Sequence, residues 1–264
     1  MKLFILVEDT VDLLNQNLSQ YSLVEECVTS YLVGVVSTNE NYIGSTSRIK
    51  SENSLRKKII KRKYYLEYET AEEIIDNLSD VIGITLECLF KEDEIKLYEQ
   101  IIESFELVEG QKFSKAKDND NIFMKLNGDQ PQRQTNGFDI YRIDGYYIDG
   151  DKKINFELQI KSLINTFWSG IEHEVIYKNN NFLMFDSFLK DLLNSVKSNL
   201  DIIDSQLTQI YTEMTHKSNY SIGMDGTNFK SFLAKEINNL FSLKLKETAE
   251  IDIDIKKISA LLSH

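Results

Sequence analysis

A single proline, Pro131, stands among 264 residues, so little in the sequence interrupts a long helix. Two cysteines, Cys27 and Cys88, lie far apart without C-x-x-C spacing, which favours a thiol-keeping cytosol over a disulfide scaffold. Histidine is scarce too. His173, His216 and His264 are the only three, none paired with another histidine or followed by aspartate, which argues against a multi-histidine metal hydrolase. No glycine-rich loop of the Walker or dinucleotide type occurs, so the familiar backbone cradles for phosphate are missing. The apolar opening "MKLFILVED" stops at Glu8 and Asp9, too short for a signal peptide or a membrane span. The expectation is a soluble cytoplasmic protein with no membrane partner.

What the chain does have is acid. Forty-two Asp and Glu against thirty Lys and Arg give a formal charge of -12. Non-specific nucleic-acid binding is built on neutralising phosphates, so general coating is disfavoured, with tRNA among the disfavoured partners. Yet "SRIKSENSLRKKIIKRK" (47–63) gathers Arg48, Lys50, Arg56, Lys57, Lys58, Lys61, Arg62 and Lys63, eight of the thirty, against one acid, Glu52. Such an island is either a solvated helix face or the seat of a compact polyanion, and a nucleoside triphosphate is one such ligand.

Hydrophobic residues make up 42% of the chain, enough for a packed core. Val11, Leu14, Leu18 and Leu23 predict helix over 10–35. Ser51 is a candidate N-cap for a helix over 52–66, and "TAEE" (70–73) is a capping box opening a short helix. "DVIGITLECLF" (80–90) reads as a buried strand and 91–105 as an amphipathic helix. Residues 110–137 are polar and aperiodic, hence loop. Two strands follow, joined at Asp149-Gly150, a pair favoured in type I′ hairpins. In the second, Ile154, Phe156, Leu158 and Ile160 alternate with Asn155, Glu157, Gln159 and Lys161. That polar face is either solvated or functional. A helix over 163–178 comes next. Residues 182–216 then form a long helix whose Leu189, Leu193, Val196, Leu200, Ile203, Leu207, Ile210 and Met214 alternate four and three apart, a heptad seam. One or two more helices fill 227–262. The pattern turns from mixed α/β to all-α near 180, so the expected domains are 1–180 and 181–264.

Neither cysteine has the partners a thiol nucleophile needs. Carboxylates and cations remain. If their strands share one sheet, Asp80 and Glu157 could together bind one Mg²⁺ with a nucleotide's phosphates; two ordinary strand acids are the alternative.

The order of the pieces adds to this. "RIKSENS" with Lys58, "DVIGIT", "NGF", "FELQIKS" and "WSGIEHEVIYK" follow one another as R-I-K-S-x-x-S, D-x-x-G-I-R, N-G-Y-x-S-x-H, E-x-Q-I-R-T and W-x-x-x-E-H-x-x-x-Y-K do in the RelA/SpoT family. Over residues 40–180 the sequence resembles that family's synthetase domain, most of all the small alarmone synthetases. The resemblance implies an α/β fold of nucleotidyltransferase type: a mixed, mainly antiparallel sheet flanked by helices, here followed by an all-helical C-terminal extension. It implies transfer of the β,γ-pyrophosphate of ATP to the 3′-hydroxyl of a guanine nucleotide, GDP or GTP, with Mg²⁺ as cofactor. Carried over by position, Arg48, Lys50, Ser51 and Lys58 would hold ATP, with Arg48 at the family's key arginine. Asp80 would be a Mg²⁺ ligand, and Glu157 a second ligand or the base for the 3′-hydroxyl. Asn136, Phe138, Arg142, Gln159, Lys161 and His173 would meet the acceptor, with a packing role as the alternative for His173. Lys178 matches the end of the closing helix.

The departures keep the acceptor open. Thr85 stands for an arginine, Phe138 for a tyrosine, Ile140 for a serine and Arg142 for a histidine, while Pro131-Gln132 lies further from Asn136-Gly137 than the family's P-K. A ring remains to stack on a base; the polar reading of guanine is altered, and Arg133 and Arg142 could contact phosphates instead. Besides GDP or GTP, an adenine nucleotide or the 3′ end of tRNA stays possible, as does a chain that binds nucleotide without turnover. No His-Asp set for a hydrolase is present, so synthesis alone is expected. The helical extension either packs on its own chain or, as in small alarmone synthetases, joins copies into a homo-oligomer.

Overall fold

The protein is described by a computed structural model covering residues 2–107, 112–133, 139–172 and 186–217. The helix expected over 10–35 is two helices, α1 (Lys2–Gln16) and α2 (Leu18–Val36). Asn17 separates them; its side-chain amide donates to the Leu13 carbonyl at 2.7 Å and so satisfies a carbonyl that α1 leaves open at its end. α2 buries Tyr21, Val24, Val28, Leu32 and Val36, three or four apart. Strand β1 (Tyr42–Ile49) leads to α3 (Glu52–Arg62), where the Ser51 hydroxyl accepts from the Ser54 N–H at 3.4 Å as N-cap. α3 stops short of 66 because Lys63 takes a left-handed conformation, φ 57°, before a single 3₁₀ turn. α4 (Ala71–Asn77) opens on the expected capping box, with Thr70 and Glu73 each bonding the other's N–H. β2 (Ile82–Cys88) and α5 (Lys91–Glu103) follow close to where hydrophobicity predicted them.

The segment expected to be loop holds three short strands, β4 (Ser114–Ala116), β5 (Ile122–Met124) and β6 (Gln132–Arg133), after β3 (Phe105–Leu107). Two or three residues are too few to display an alternation, which is why the pattern missed them. With β7 (Asp139–Asp149) and β8 (Lys152–Ser162) they complete a sheet in the order β1-β2-β8-β7-β5-β4-β3, with β6 also paired to β7. The registered pairs β3–β4, β4–β5, β5–β7, β6–β7 and β7–β8 are all antiparallel. A mixed, mostly antiparallel sheet flanked by helices is the fold class expected.

The β7–β8 hairpin differs in detail. Asp149 pairs with Lys152, so Gly150 and Asp151 are the loop, and Gly150 alone of the two has positive φ, +61°. Glycine at the first central position is the type II′ pattern rather than I′. On β7, Gly145 faces Phe156, and a Cβ there would sit 2.4 Å from the Phe156 ring and 2.8 Å from the Phe123 carbonyl. Only glycine lets that fully buried ring lie flat against the strand.

The polar face of β8 is covered at Asn155 and Glu157 and half-buried at Gln159 and Lys161. Asn155 is 9% exposed and donates to the carbonyls of Asp76 and Leu78 at 2.7 and 3.2 Å, closing the end of α4; Glu157 is 7% exposed.

The chain divides into two compact units, residues 1–87 with 94–160, and residues 88–93 with 161–264. The first holds the sheet almost entirely. In the second, α6 (Leu163–Glu172) buries Leu163, Ile164, Phe167, Trp168 and Ile171. α7 (Asp186–Lys217) buries Val196 and Leu200 of the seam, half-buries Ile203 and Leu207, and leaves Ile210 exposed. The Lys91 ammonium meets Asp201 at 2.8 Å. The helices expected over 227–262 lie outside the described residues, and no described helix is long and apolar enough to cross a membrane.

Candidate active site

The basic island divides in two. Lys50, between β1 and α3, and Lys58, two turns into α3, both reach Asp80 just before β2, at 2.6 Å and 2.8 Å, one on each carboxylate oxygen. Arg56 turns away, to Glu8 on α1 at 2.6 Å and Glu52 at 3.3 Å. Arg48, exposed on β1, lies over Gly83 with Nε 3.6 Å from where a Cβ would stand. It makes no ion pair among the described residues.

Burial alone would raise the Asp80 carboxyl. The hydrogen bonds from Lys50 and Lys58 outweigh it, and Asp80 titrates below the ordinary carboxylate range. Lys50 is pushed down from the usual ammonium value, first by burial, with the bond to Asp80 opposing and the charges of Lys58 and Arg48 adding to the fall. The two directions fit one picture. A single carboxylate shared by two ammoniums is held firmly ionised, while each ammonium has only half a counter-ion. Three cations gather around one acid, and the surplus suits phosphate.

The second group lies on β7 and β8. Side chains alternate, so Arg142 and Asp144 share a face, and the register sets Arg142 across from Gln159 and Asp144 across from Glu157. The Arg142 guanidinium binds Glu157 Oε2 at 2.6 Å, and the Gln159 amide donates to Oε1 at 2.5 Å. The same Arg142 nitrogen is 3.9 Å from Asp144 Oδ1. The main chain at Arg142 is gripped as well. Its N–H donates to Gln130 Oε1 at 3.1 Å, and its carbonyl accepts from Gln130 Nε2 at 2.6 Å and from Gln132 Nε2 at 2.9 Å. These two glutamines bond β7 between the stretches paired with β5 and with β6.

Of the residues expected at the site, the fold therefore brings Lys50 and Lys58 to Asp80, with Arg48 close enough for its charge to act on Lys50. It brings Arg142 and Gln159 to Glu157. Ser51 caps α3, and Lys161 follows Gln159 by two residues on β8. Asn136, Phe138, His173 and Lys178 lie outside the described residues. Among the described residues, no three acids, histidines or cysteines gather into a metal cage. Asp144 and Gln130 escaped the sequence reading, and Gln132 entered it only as the counterpart of the lysine in the family's P-K. Asp144 had a signal in its i, i+2 spacing from Arg142; Gln130 had none.

Residues 47–182, 136 of the 264, match the family model for the region found in RelA / SpoT proteins. Among solved structures, small alarmone synthetase 1 from Bacillus subtilis bound to its product pppGpp superposes with a TM-score of 0.56 at 20% identity, covering 76% of this chain and 97% of that one. The same synthetase bound to AMPCPP gives 0.51 at 21% identity, with the same coverage. A GTP pyrophosphokinase family protein from Streptococcus pneumoniae gives 0.56 at 18%, covering 76% and 94%. At these identities the likeness is one of fold. No curated protein matches the sequence significantly.

Proposed function

The chain belongs to the RelA/SpoT family, and from that premise we propose that it is a pyrophosphokinase, moving the β,γ-pyrophosphate of ATP to the 3′-hydroxyl of a guanine nucleotide, GDP or GTP. The observation that carries the reading is the pair of opposite charge groups inside the family region: cations around Asp80, and the buried acid Glu157 on β8, the strand next to β2. Arg48, Lys50 and Lys58 bind the phosphates of ATP, and their charge offsets what builds up as the pyrophosphoryl group moves. Glu157 takes the proton of the 3′-hydroxyl. That oxygen attacks the β-phosphorus, the bond from the β-phosphorus to the α–β bridging oxygen breaks, and AMP leaves with the bridging oxygen. Gln159, on the Glu157 face, sets the orientation of the acid.

Mg²⁺ takes hard oxygen donors, one or two carboxylates together with phosphates and water. Asp80 is of that donor class and would hold it, while Glu157 serves as the base. When bound, Mg²⁺ neutralises phosphate oxygens at the reacting centre. Lys50 and Lys58 keep Asp80 ionised in readiness and are themselves drawn by the phosphates.

A second reading has one observation in its favour. Both oxygens of Glu157 are engaged, by Arg142 and Gln159, as befits a chain that binds nucleotide without turnover. Thin-layer separation after incubation with γ-labelled ATP and Mg²⁺ decides between them. GDP, GTP, ATP alone and bulk tRNA are offered separately, with Glu157→Gln as control. Label transferred to GDP or GTP by the wild type alone supports the proposal; transfer to tRNA or an adenine nucleotide reassigns the acceptor. No transfer to any acceptor, with binding of a non-hydrolysable ATP analogue seen by calorimetry, leaves the second reading. The domain division at 180 and assembly through the C-terminal helices extend the proposal, and light scattering of the full chain against one cut after residue 180 tests both.

A further inference from the structure

Asp144 belongs to none of the motifs above. It stands directly across the hairpin from Glu157 and on the same strand face as Arg142. Its Oδ1 is shielded from solvent and accepts no hydrogen bond, the Arg142 guanidinium at 3.9 Å being the ion-pair contact it makes. The side chain is 45% exposed and its other oxygen is open to water, but Oδ1 meets neither solvent nor a donor, and a shielded carboxylate oxygen calls for a partner. Arg142 has two such carboxylates within reach and is bonded closely to only one, Glu157, at 2.6 Å. Its main chain cannot shift to compensate, since Gln130 and Gln132 hold both its N–H and its carbonyl. Only the side chain is left to move.

The chemistry assigned to Glu157 favours that movement. A base for the 3′-hydroxyl takes a proton better on an oxygen that no cation holds, and Oε2 carries the Arg142 guanidinium while Oε1 carries the Gln159 amide. A guanidinium that swings from one carboxylate to its neighbour keeps its own ion pair throughout, and Glu157, which gives up its cation, keeps the Gln159 bond. Resting on the pyrophosphokinase reading, we propose that Asp144 is a positioning residue: on substrate binding it takes Arg142 from Glu157 and leaves a Glu157 oxygen open to the acceptor hydroxyl. Asp144 handles no proton and touches no reacting atom.

Four full-length proteins test this: wild type, Asp144→Asn, Arg142→Gln and the double variant. At saturating Mg²⁺-ATP and GDP, Asp144→Asn lowers kcat about tenfold or more and leaves the acceptor KM within about twofold, because an amide cannot hold the guanidinium by charge. In the Arg142→Gln background the same change alters kcat by less than about twofold. Equal losses in both backgrounds, or none in the wild type, overturn the proposal. Thermal melting, with Glu157→Gln and its pairing with Arg142→Gln added, reads the exchange without turnover. In free protein the coupling between positions 142 and 157 exceeds that between 142 and 144; with a non-hydrolysable ATP analogue, Mg²⁺ and GDP the order reverses, by about 2 °C or more. Reversal in a protein that transfers nothing keeps the exchange and rejects the pyrophosphokinase. Transfer with couplings unmoved by ligand keeps the enzyme and rejects the exchange. Couplings unmoved in an inactive protein reject both.

Discussion

Around Asp80, two ammoniums share one carboxylate; around Arg142, two carboxylates share one guanidinium. The groups are electrostatic inverses. With Arg48 the first has three cations to one acid and a standing attraction for phosphate, while the second has two acids to one cation and a standing demand for a donor. Transfer of a charged group needs both, and the sheet order sets β2 and β8 side by side. The groups also differ in completeness. Both oxygens of Asp80 are bonded, whereas Asp144 keeps one oxygen without a donor. A saturated group resists loss of a member; an unsaturated one is poised to rearrange.

The largest way to break the comparison is to remove the acid proposed as the base. Glu157→Gln keeps the shape and the Gln159 contact while removing the proton acceptor, so pyrophosphate transfer falls by about 10²–10⁴-fold, far more than the loss of the Arg142 ion pair lowers the melting temperature. Wild-type turnover by this variant would sink the assignment of Glu157.

Next comes the support beneath the second group. Gly145 follows Asp144, and Ala in its place drives a methyl into the Phe156 ring and the Phe123 carbonyl. One of those contacts is backbone and cannot rotate aside. Gly145→Ala should cost about 2–3 kcal/mol in denaturant unfolding and lower kcat with it, since the register that sets Asp144 across from Glu157 runs through this pair. An unchanged midpoint would mean the strand gives way more easily than its packing implies.

The first group is broken by Asp80→Asn, which strands two ammoniums. The Lys50 side chain is 9% exposed and Asp80 itself 23%, so the loss is screened in part, and about 1–2 kcal/mol is expected. The pH dependence sharpens it. Asp80 titrates lower folded than unfolded, where a carboxyl lies near about 3.9. Below that value the unfolded chain binds the proton that the folded one refuses, so the stabilisation is full above the unfolded pKa and is lost as pH falls through the folded one. Wild type and Asp80→Asn should therefore differ most in melting temperature near neutrality and converge toward pH 3. A gap that stays constant down to pH 3 would mean the lysines are not what holds Asp80 ionised.

How far each group was legible follows from how it is encoded. Lys50 and Lys58 sit eight residues apart in one island, and a capped helix turns that spacing into convergence, so charge density alone exposed the first group. Arg142 and Glu157 are joined by a hairpin, and their meeting depends on which residue pairs with which. The turn pair hinted at the hairpin, but the loop is Gly150-Asp151, one residue further along than expected. Alternation named the polar face of β8 correctly yet said nothing of its burial, because Asn155 is covered by the end of α4, a partner distant in sequence. Strands β4 to β6 were invisible because each is shorter than two periods of the pattern. The Gln130 clamp carried no signal, since a side chain replacing a strand neighbour obeys no periodicity.

The smallest effect belongs to the island's other half. Arg56 lies two residues before Lys58 on the same helix, and from sequence the two are equivalent cations. The fold separates them: Lys58 faces Asp80 and Arg56 faces Glu8, whose side chain is 54% exposed. A surface pair of this kind contributes about 0–1 kcal/mol. Arg56→Ala should thus shift the melting temperature by no more than about 3 °C and leave both kcat and the KM for ATP within about twofold, even though it removes a full positive charge from the densest basic stretch of an acidic protein. A large rise in the ATP KM would show that the island acts by its summed charge. No rise would show that only the cations converging on Asp80 count.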